Sequence, residues 1–184
     1  MKRILAVILC LAFVLAFTGC NKDTGTDPNA SATPGADASP TGPVEPVIIK
    51  CEMVIKDYGV LKIDLYAHKA PQTVYNFVYL AKQGYYNGII FHKVVDGYSI
   101  QAGKYEQGFV ARVPAKGPYT IFGEFEQNGF ENSLSHGRGV LSMARMAKDT
   151  EDGISKYDTG STEFFICLST ANSLSLNGSF AAFG

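Results

Sequence analysis

Phe91-His92-Lys93-Val94-Val95-Asp96-Gly97-Tyr98-Ser99-Ile100-Gln101-Ala102-Gly103 reads as two short extended runs broken by a turn at Asp96-Gly97. Aromatic, cationic and amide side chains alternate with aliphatic ones on both sides of the turn. One face can therefore bury apolar residues while the other presents Lys93, Tyr98 and Gln101. Ser161-Thr162-Glu163-Phe164-Phe165-Ile166 carries the same mixture further along the chain. These two stretches are the site-like parts of the sequence.

Working outward, Val47 to Ile55 and Val60 to Leu65 are strand-like, and Lys56-Asp57-Tyr58-Gly59 between them supplies turn residues, which predicts an antiparallel hairpin. Pro71 opens a helix where its missing N–H costs nothing, with Val74, Phe77, Val78 and Ala81 at helical spacing and Gly84 as its stop. Amphipathic packing alone accounts for that stripe. Lys104 to Tyr119 reads as a long, ligand-facing loop, and Ala147 to Thr159 as a polar, acid-leaning one. Ile121-Phe122-Gly123, Val140 to Ala144, Phe164 to Leu168 and Phe180 to Phe183 are expected as further strands. Many short strands, one clear helix and Gly-rich turns point to a mainly β domain, a closed or nearly closed antiparallel barrel with helical caps.

At 184 residues with a net charge of −1, one globular domain is expected, and no basic face suggests a nucleic-acid partner. Met1-Lys2-Arg3 is a positive n-region, Ile4 to Phe17 an apolar h-region, and Thr18-Gly19 places small residues before Cys20. The h-region is shorter than the roughly 18–20 apolar residues of a spanning helix, so an export signal is the better reading than a retained anchor. Asn21 to Pro46 is built of small and polar residues with no large apolar one before Val44, and is expected to be a disordered tether. Cys51 and Cys167 lie in apolar runs; buried thiols are expected, though an exported location permits a disulfide.

The ending Leu15-Ala16-Phe17-Thr18-Gly19-Cys20 resembles a bacterial lipobox, with Phe17 where an aliphatic residue is usual. That implies a signal peptide over 1–19, lipid on Cys20, a tether over 20–46, and a domain from 47 to 184 held outside the cytoplasm at a bacterial membrane. The domain in turn resembles the cyclophilin family of peptidyl-prolyl cis-trans isomerases. The resemblance is carried by Ala70-Pro71, Asn76-Phe77, Gly84-Tyr85-Tyr86, Phe91-His92-Lys93-Val94, Gly97-Tyr98, Ile100-Gln101, Gly103, Gly123-Glu124-Phe125, His136 to Arg145, Phe164-Phe165-Ile166, Leu176-Asn177-Gly178 and Phe183-Gly184, in that order.

The resemblance implies an eight-stranded antiparallel barrel capped by helices. It also implies isomerisation of X–Pro bonds in unfolded exported proteins, by a monomer that needs no metal or nucleotide. Lys93 and Gln101 fall at catalytic positions. Tyr98, Ser99, His92, Ala144, Arg145, Phe165, Leu176 and Phe180 fall at or beside substrate-contact positions.

The chain departs from the family pattern where the chemistry is done. Lys93 stands for the family's catalytic arginine, and a flexible point donor replaces a planar fork. Ser99 replaces methionine, Ala102 a glycine and Phe180 a histidine, and Tyr98 adds a hydroxyl to the usual phenylalanine. The chain has no tryptophan, Ser175 sits near the family's cyclosporin-contacting one, and cyclosporin sensitivity is not expected. Turnover is expected to be reduced, and a catalytically weak proline-peptide-binding module is the alternative.

Family members carry a further strand and helix beyond the Phe183-Gly184 pair, so a fragment with an open barrel edge is expected rather than a compromised domain. His68, His92 and His136 lack metal-ligand spacing. Asp149, Glu151, Asp152 and Asp158 lack the twelve-residue calcium-loop pattern, and no G-x-S-x-G elbow appears. A lipoprotein that binds a small solute is the weakest reading.

Overall fold

The hairpin expected near the start of the domain forms because Asp57, at φ 67, and Gly59, at φ 103, turn the chain through left-handed backbone after Ile55. In the computed structural model the described residues are the backbone of Leu5–Val7 together with 46–117 and 119–184. The expected lipobox with Cys20, and nearly all of the tether, lie outside them. The chain folds as β1 (Leu5–Val7), β2 (Ile48–Ile55), β3 (Gly59–Tyr66), α1 (Pro71–Lys82), β4 (Asn87–Ile90), β5 (Lys93–Val95), β6 (Ser99–Ala102), β7 (Leu141–Met143), β8 (Phe164–Cys167) and the short α2 (Thr170–Ser173).

Helix α1 starts at Pro71, where no N–H is needed, and its Ala70 cap offers no side-chain acceptor. The orphan N–H groups of Gln72 and Thr73 instead donate to the two carboxylate oxygens of the buried Glu124, at 2.9 and 2.8 Å. Thr73, Val74, Asn76, Phe77 and Leu80 are buried, and the turn after the helix passes through Gly84 at φ 69. The Phe77 ring lies 5.0 Å from Tyr86, 5.4 Å from Phe164 and 5.4 Å from Phe183. These edge-on and tilted contacts join α1 to β8 through the middle of the core.

The strands form two antiparallel sheets, ordered β3-β2-β1-β4 and β5-β6-β8-β7. The closed eight-stranded barrel expected from the sequence is therefore not what forms. Two four-stranded sheets replace it, and among the described residues α1 is accompanied only by the four-residue α2 and short 3₁₀ turns rather than large helical caps.

The reasons are local. Ile121-Phe122-Gly123 makes one isolated bridge, Ile121 to Gly160, and the Gly123 N–H turns to the Asp158 carboxylate at 2.9 Å rather than to a strand. The 180–183 segment likewise forms one isolated bridge, Ser142–Ala182, yet its backbone bonds reach both sheets: Tyr66 N–H donates to Phe183 O, Phe183 N–H to Leu141 O and Met143 N–H to Ala181 O, each at 2.9 Å. Phe91 and His92 separate β4 from β5; backbone bonds continue across the break, Ile90 N–H to Tyr105 O at 2.8 Å and His92 N–H to Gln101 O at 3.1 Å, but among the described residues no named strand of one sheet pairs with a named strand of the other. β1 falls within the expected signal peptide and pairs with both β2 and β4, between strands that do not pair with each other.

Sheet β5-β6-β8-β7 has two apolar faces. Phe164, Ile166, Leu141, Met143 and Ala102 enter the main core. Phe165, Cys167 and Leu176 form a second cluster, joined by Tyr98, Val140, Ala144 and Phe180. Cys51 is buried in the main core, while Cys167 is a free buried thiol, so the two are not bonded to each other.

Candidate active site

The period-2 geometry of strands puts Lys93, Gln101, Phe165 and Ser142 in one row across the second sheet, since each faces the next in register. The polar and aromatic residues singled out in the sequence thus share one face with the smaller apolar cluster. Phe165 is 6 % exposed and Leu176 7 % exposed. The half-buried Phe180 ring meets Phe165 edge-on at 5.5 Å, and Tyr98 packs against the same group. The result is a shallow apolar platform beside Lys93 and Gln101.

Lys93 is exposed, and its ammonium has no hydrogen bond or ion pair among the described residues. Gln101 is held. Its Nε2 donates at 2.7 Å to Glu163 Oε2, which also lies 3.3 Å from His92 Nε2, while Lys104 Nζ is 3.5 Å from Glu163 Oε1. Burial pushes the Glu163 pKa up, but the hydrogen bonds from His92 and Gln101 and the charges of Lys104 and His92 outweigh it and hold the carboxyl below its ordinary value. His92 Nδ1 is buried with no hydrogen-bond partner. Ser99 is buried opposite Cys167, and Ala144 N–H donates to Glu163 O at 2.9 Å, tying β7 to the start of β8. Gly103 completes this corner: at φ 107, a Cβ there would lie 2.2 Å from Thr162 O, so only glycine lets the chains approach.

His136 braces the platform from behind, stacked on Phe165 with centroids 6.3 Å apart. Its N–H and its Nδ1 both reach Asn177 Oδ1, at 2.7 and 3.1 Å, so that oxygen is the acceptor and Nδ1 carries the proton. Nε2 then accepts from the Ser142 hydroxyl at 2.9 Å. Burial drives the His136 pKa down, with the Asn177 bond opposing it, so the ring stays neutral.

A family model described as cyclophilin type peptidyl-prolyl cis-trans isomerase matches residues 50–184. The chain belongs to this family. Among curated relatives, the peptidyl-prolyl cis-trans isomerase ppi1 of Schizosaccharomyces pombe is 35% identical over 127 residues, 68% of this chain and 71% of the relative. The peptidyl-prolyl cis-trans isomerase-like 2 protein of Rhizopus delemar is 34% identical over 132 residues, 71% of this chain but only 22% of that longer protein. A solved Cryptosporidium parvum cyclophilin type peptidyl-prolyl cis-trans isomerase superposes with a TM-score of 0.58 at 29% identity, covering 75% of this chain and 76% of its own. A second structure of that enzyme, in the presence of the dipeptide Ala-Pro, gives 0.54 at 32% identity over 70% of this chain and 72% of its own. The chain therefore carries a cyclophilin-type isomerase domain.

Two contributors to this cyclophilin site were not assigned in the sequence. Glu163 stands in the second quoted stretch, but its hold on Gln101 depends on a fold contact between residues 62 apart. The His136–Ser142–Asn177 brace has the same character, although His136 lies inside a family-like run. Arg145 is placed beyond the platform. Its guanidinium stands 4.6 Å over the Phe180 ring, with Nε donating to Ser179 O at 3.0 Å.

Proposed function

We propose that the domain catalyses cis-trans isomerisation of X–Pro bonds in unfolded exported proteins while a lipid on Cys20 and the 20–46 tether hold it outside the cytoplasm at a bacterial membrane. The barrier to rotation is amide resonance, about 18–20 kcal/mol, and no covalent bond need break. A catalyst has to grip the proline ring, hold the preceding carbonyl and supply a donor as the prolyl nitrogen loses resonance. Phe165, Leu176, Phe180 and Tyr98 offer the apolar grip. Gln101, turned by Glu163, and the Lys93 ammonium stand in register along its edge.

That row of Lys93, Gln101 and Phe165 is the observation that carries the reading. The Ala-Pro dipeptide that accompanies the Cryptosporidium relative supports the same ligand class. A monomer suffices for this reading, because one copy supplies every residue of the row.

A protease-coupled isomerisation assay on a short Ala-Pro peptide tests this with the full-length protein. A rate above background, abolished by Gln101→Ala and raised about tenfold or more by Lys93→Arg, is expected, since a misdirected transition-state donor costs on the order of 10²–10³ in rate. No rate for either the wild type or Lys93→Arg would sink it.

The Lys93 observation also favours a second reading, a proline-peptide-binding module: an unlocked point charge pre-organises poorly for a twisted amide. Peptide titration showing saturable binding without rate enhancement would select it. Cys20→Ser is expected to move the protein from the membrane fraction to the soluble one without changing the rate.

A further inference from the structure

The Phe180 ring is shared between two sites. Its edge packs on Phe165 within the platform, and it also lines a neighbouring cavity of about 310 Å³ with Arg145, Met146, Lys156 and Tyr157. Two cations reach this cavity and none of its lining residues is an acid. Arg145 is fixed under the rings of Phe180 at 4.6 Å, Tyr157 at 5.2 Å and Phe125 at 5.4 Å. It donates through Nε to Ser179 O and through Nη1 to Met146 O, at 3.0 and 3.1 Å. The rest of its five N–H donors have no protein acceptor among the described residues, and no carboxylate pairs with it there. Lys156 Nζ stands 5.3 Å from the centre of the same Tyr157 ring, with no carboxylate in salt-bridge range among the described residues.

We propose that this cavity is a specificity subsite for an acidic side chain, a carboxylate one or two residues from the substrate proline. The inference rests on the isomerase reading above, because it takes the proline to lie on Phe165 and Phe180. An extended peptide advances about 3.3 Å per residue, so a glutamate next to or one beyond that proline can span from the platform to the guanidinium stacked on Phe180.

The geometry suits a carboxylate better than a neutral side chain. Arg145 is already ordered by three rings and two carbonyls, so pairing costs little side-chain entropy, and its free N–H groups can bind both carboxylate oxygens together. Lys156 supplies a second positive charge on a backbone segment pinned where Asp149 Oδ1 accepts from its N–H at 2.8 Å. Arg145 and Met146 also line the smaller neighbouring cavity that contains Gln101 and Glu163, and there the Glu163 carboxylate would repel an acidic residue. An acid is therefore sorted toward the Lys156 and Phe180 side of Arg145.

The test uses the full-length protein and blocked Ala-Ala-Pro-Ala-Ala peptides in which glutamate, glutamine or lysine is scanned through the positions flanking proline. Isomerisation is followed by exchange NMR and affinity by titration. At one flanking position glutamate should raise kcat/KM about tenfold over glutamine in low salt, the size expected of one charge-assisted hydrogen bond. Most of that preference should vanish in about 1 M salt. Lys156→Glu should reduce the preference, and Arg145→Gln should abolish it.

Equal handling of glutamate and glutamine at every position, with the glutamine peptides turned over or bound normally, overturns the subsite and leaves the isomerase reading standing. Failure of all the peptides to bind or turn over overturns both. If Arg145→Gln fails to fold, Lys156→Glu decides alone, and an unchanged glutamate preference in that variant overturns the proposal.

Discussion

Glu163 fixes the orientation of the Gln101 amide. Its carboxylate accepts one Nε2 hydrogen at 2.7 Å, which fixes the amide's orientation and leaves the second Nε2 hydrogen to donate to a carbonyl. A neutral glutamine at 163 could instead accept or donate, and the Gln101 amide would no longer have one preferred orientation. Glu163→Gln is therefore expected to lower kcat/KM for proline peptides several-fold while leaving Lys93 in place. The pH profile separates positioning from simple structural damage. In the wild type the carboxylate stays ionised somewhat below its ordinary pKa of 4.5, so activity should fall only when acid reaches that lowered range, and this acid limb should be absent in Glu163→Gln. A profile of unchanged shape would refute the positioning role.

Elements whose stabilising partners are near in sequence could be read from it, and those that depend on remote partners could not. The β2-β3 hairpin follows from alternation around Asp57-Tyr58-Gly59, and α1 from Pro71, its apolar spacing and Gly84. The Phe91 to Gly103 stretch folds as the predicted pair of short strands, β5 and β6, around Asp96-Gly97. By contrast, Ile121-Phe122-Gly123 looks apolar enough for a strand, but its partner is the side chain of Asp158, 35 residues away, and periodicity carries no trace of that. The two separate sheets were hidden for the same reason: the apolar pattern specifies which faces are buried, not which edges meet.

Glu124 is the clearest remote partner. It caps α1 from more than fifty residues away and lies 1 % exposed. Glu124→Ala removes two charge-assisted bonds and leaves two helix N–H groups unmet, so a loss of about 2 kcal/mol or more is expected. Urea unfolding should show a lower midpoint with an unchanged m-value. A variant as stable as the wild type would mean that water replaces the cap.

For the molecule as a whole, a net charge of −1 leaves little global repulsion at neutral pH, so the first losses of stability below neutrality fall to individual shifted groups. His136 and Glu163 are among the groups that titrate differently in the folded and unfolded chains. His136 has a folded pKa below its ordinary 6.5, chiefly through burial, so between the two values the unfolded chain binds more protons. Its neutral form contributes stability that is fully present above about 6.5 and is lost as pH falls below it. Glu163, also depressed, contributes stability present above its ordinary 4.5 and lost on further acidification.

The two signs agree. Stability should decline in two stages, first below 6.5 as His136 must be protonated, then below 4.5 as Glu163 loses its charge. His136 stacks on Phe165 and holds Ser142 and Asn177, so the first stage should also loosen the proline platform, and peptide affinity should fall together with Tm. Thermal unfolding in steps from pH 8 to pH 4, run beside His136→Gln, checks this. The variant should be less stable at neutral pH but flat between pH 7 and pH 5. A wild type equally flat over that interval would show that His136 accepts its proton without cost, and that the brace behind Phe165 does not depend on a neutral ring.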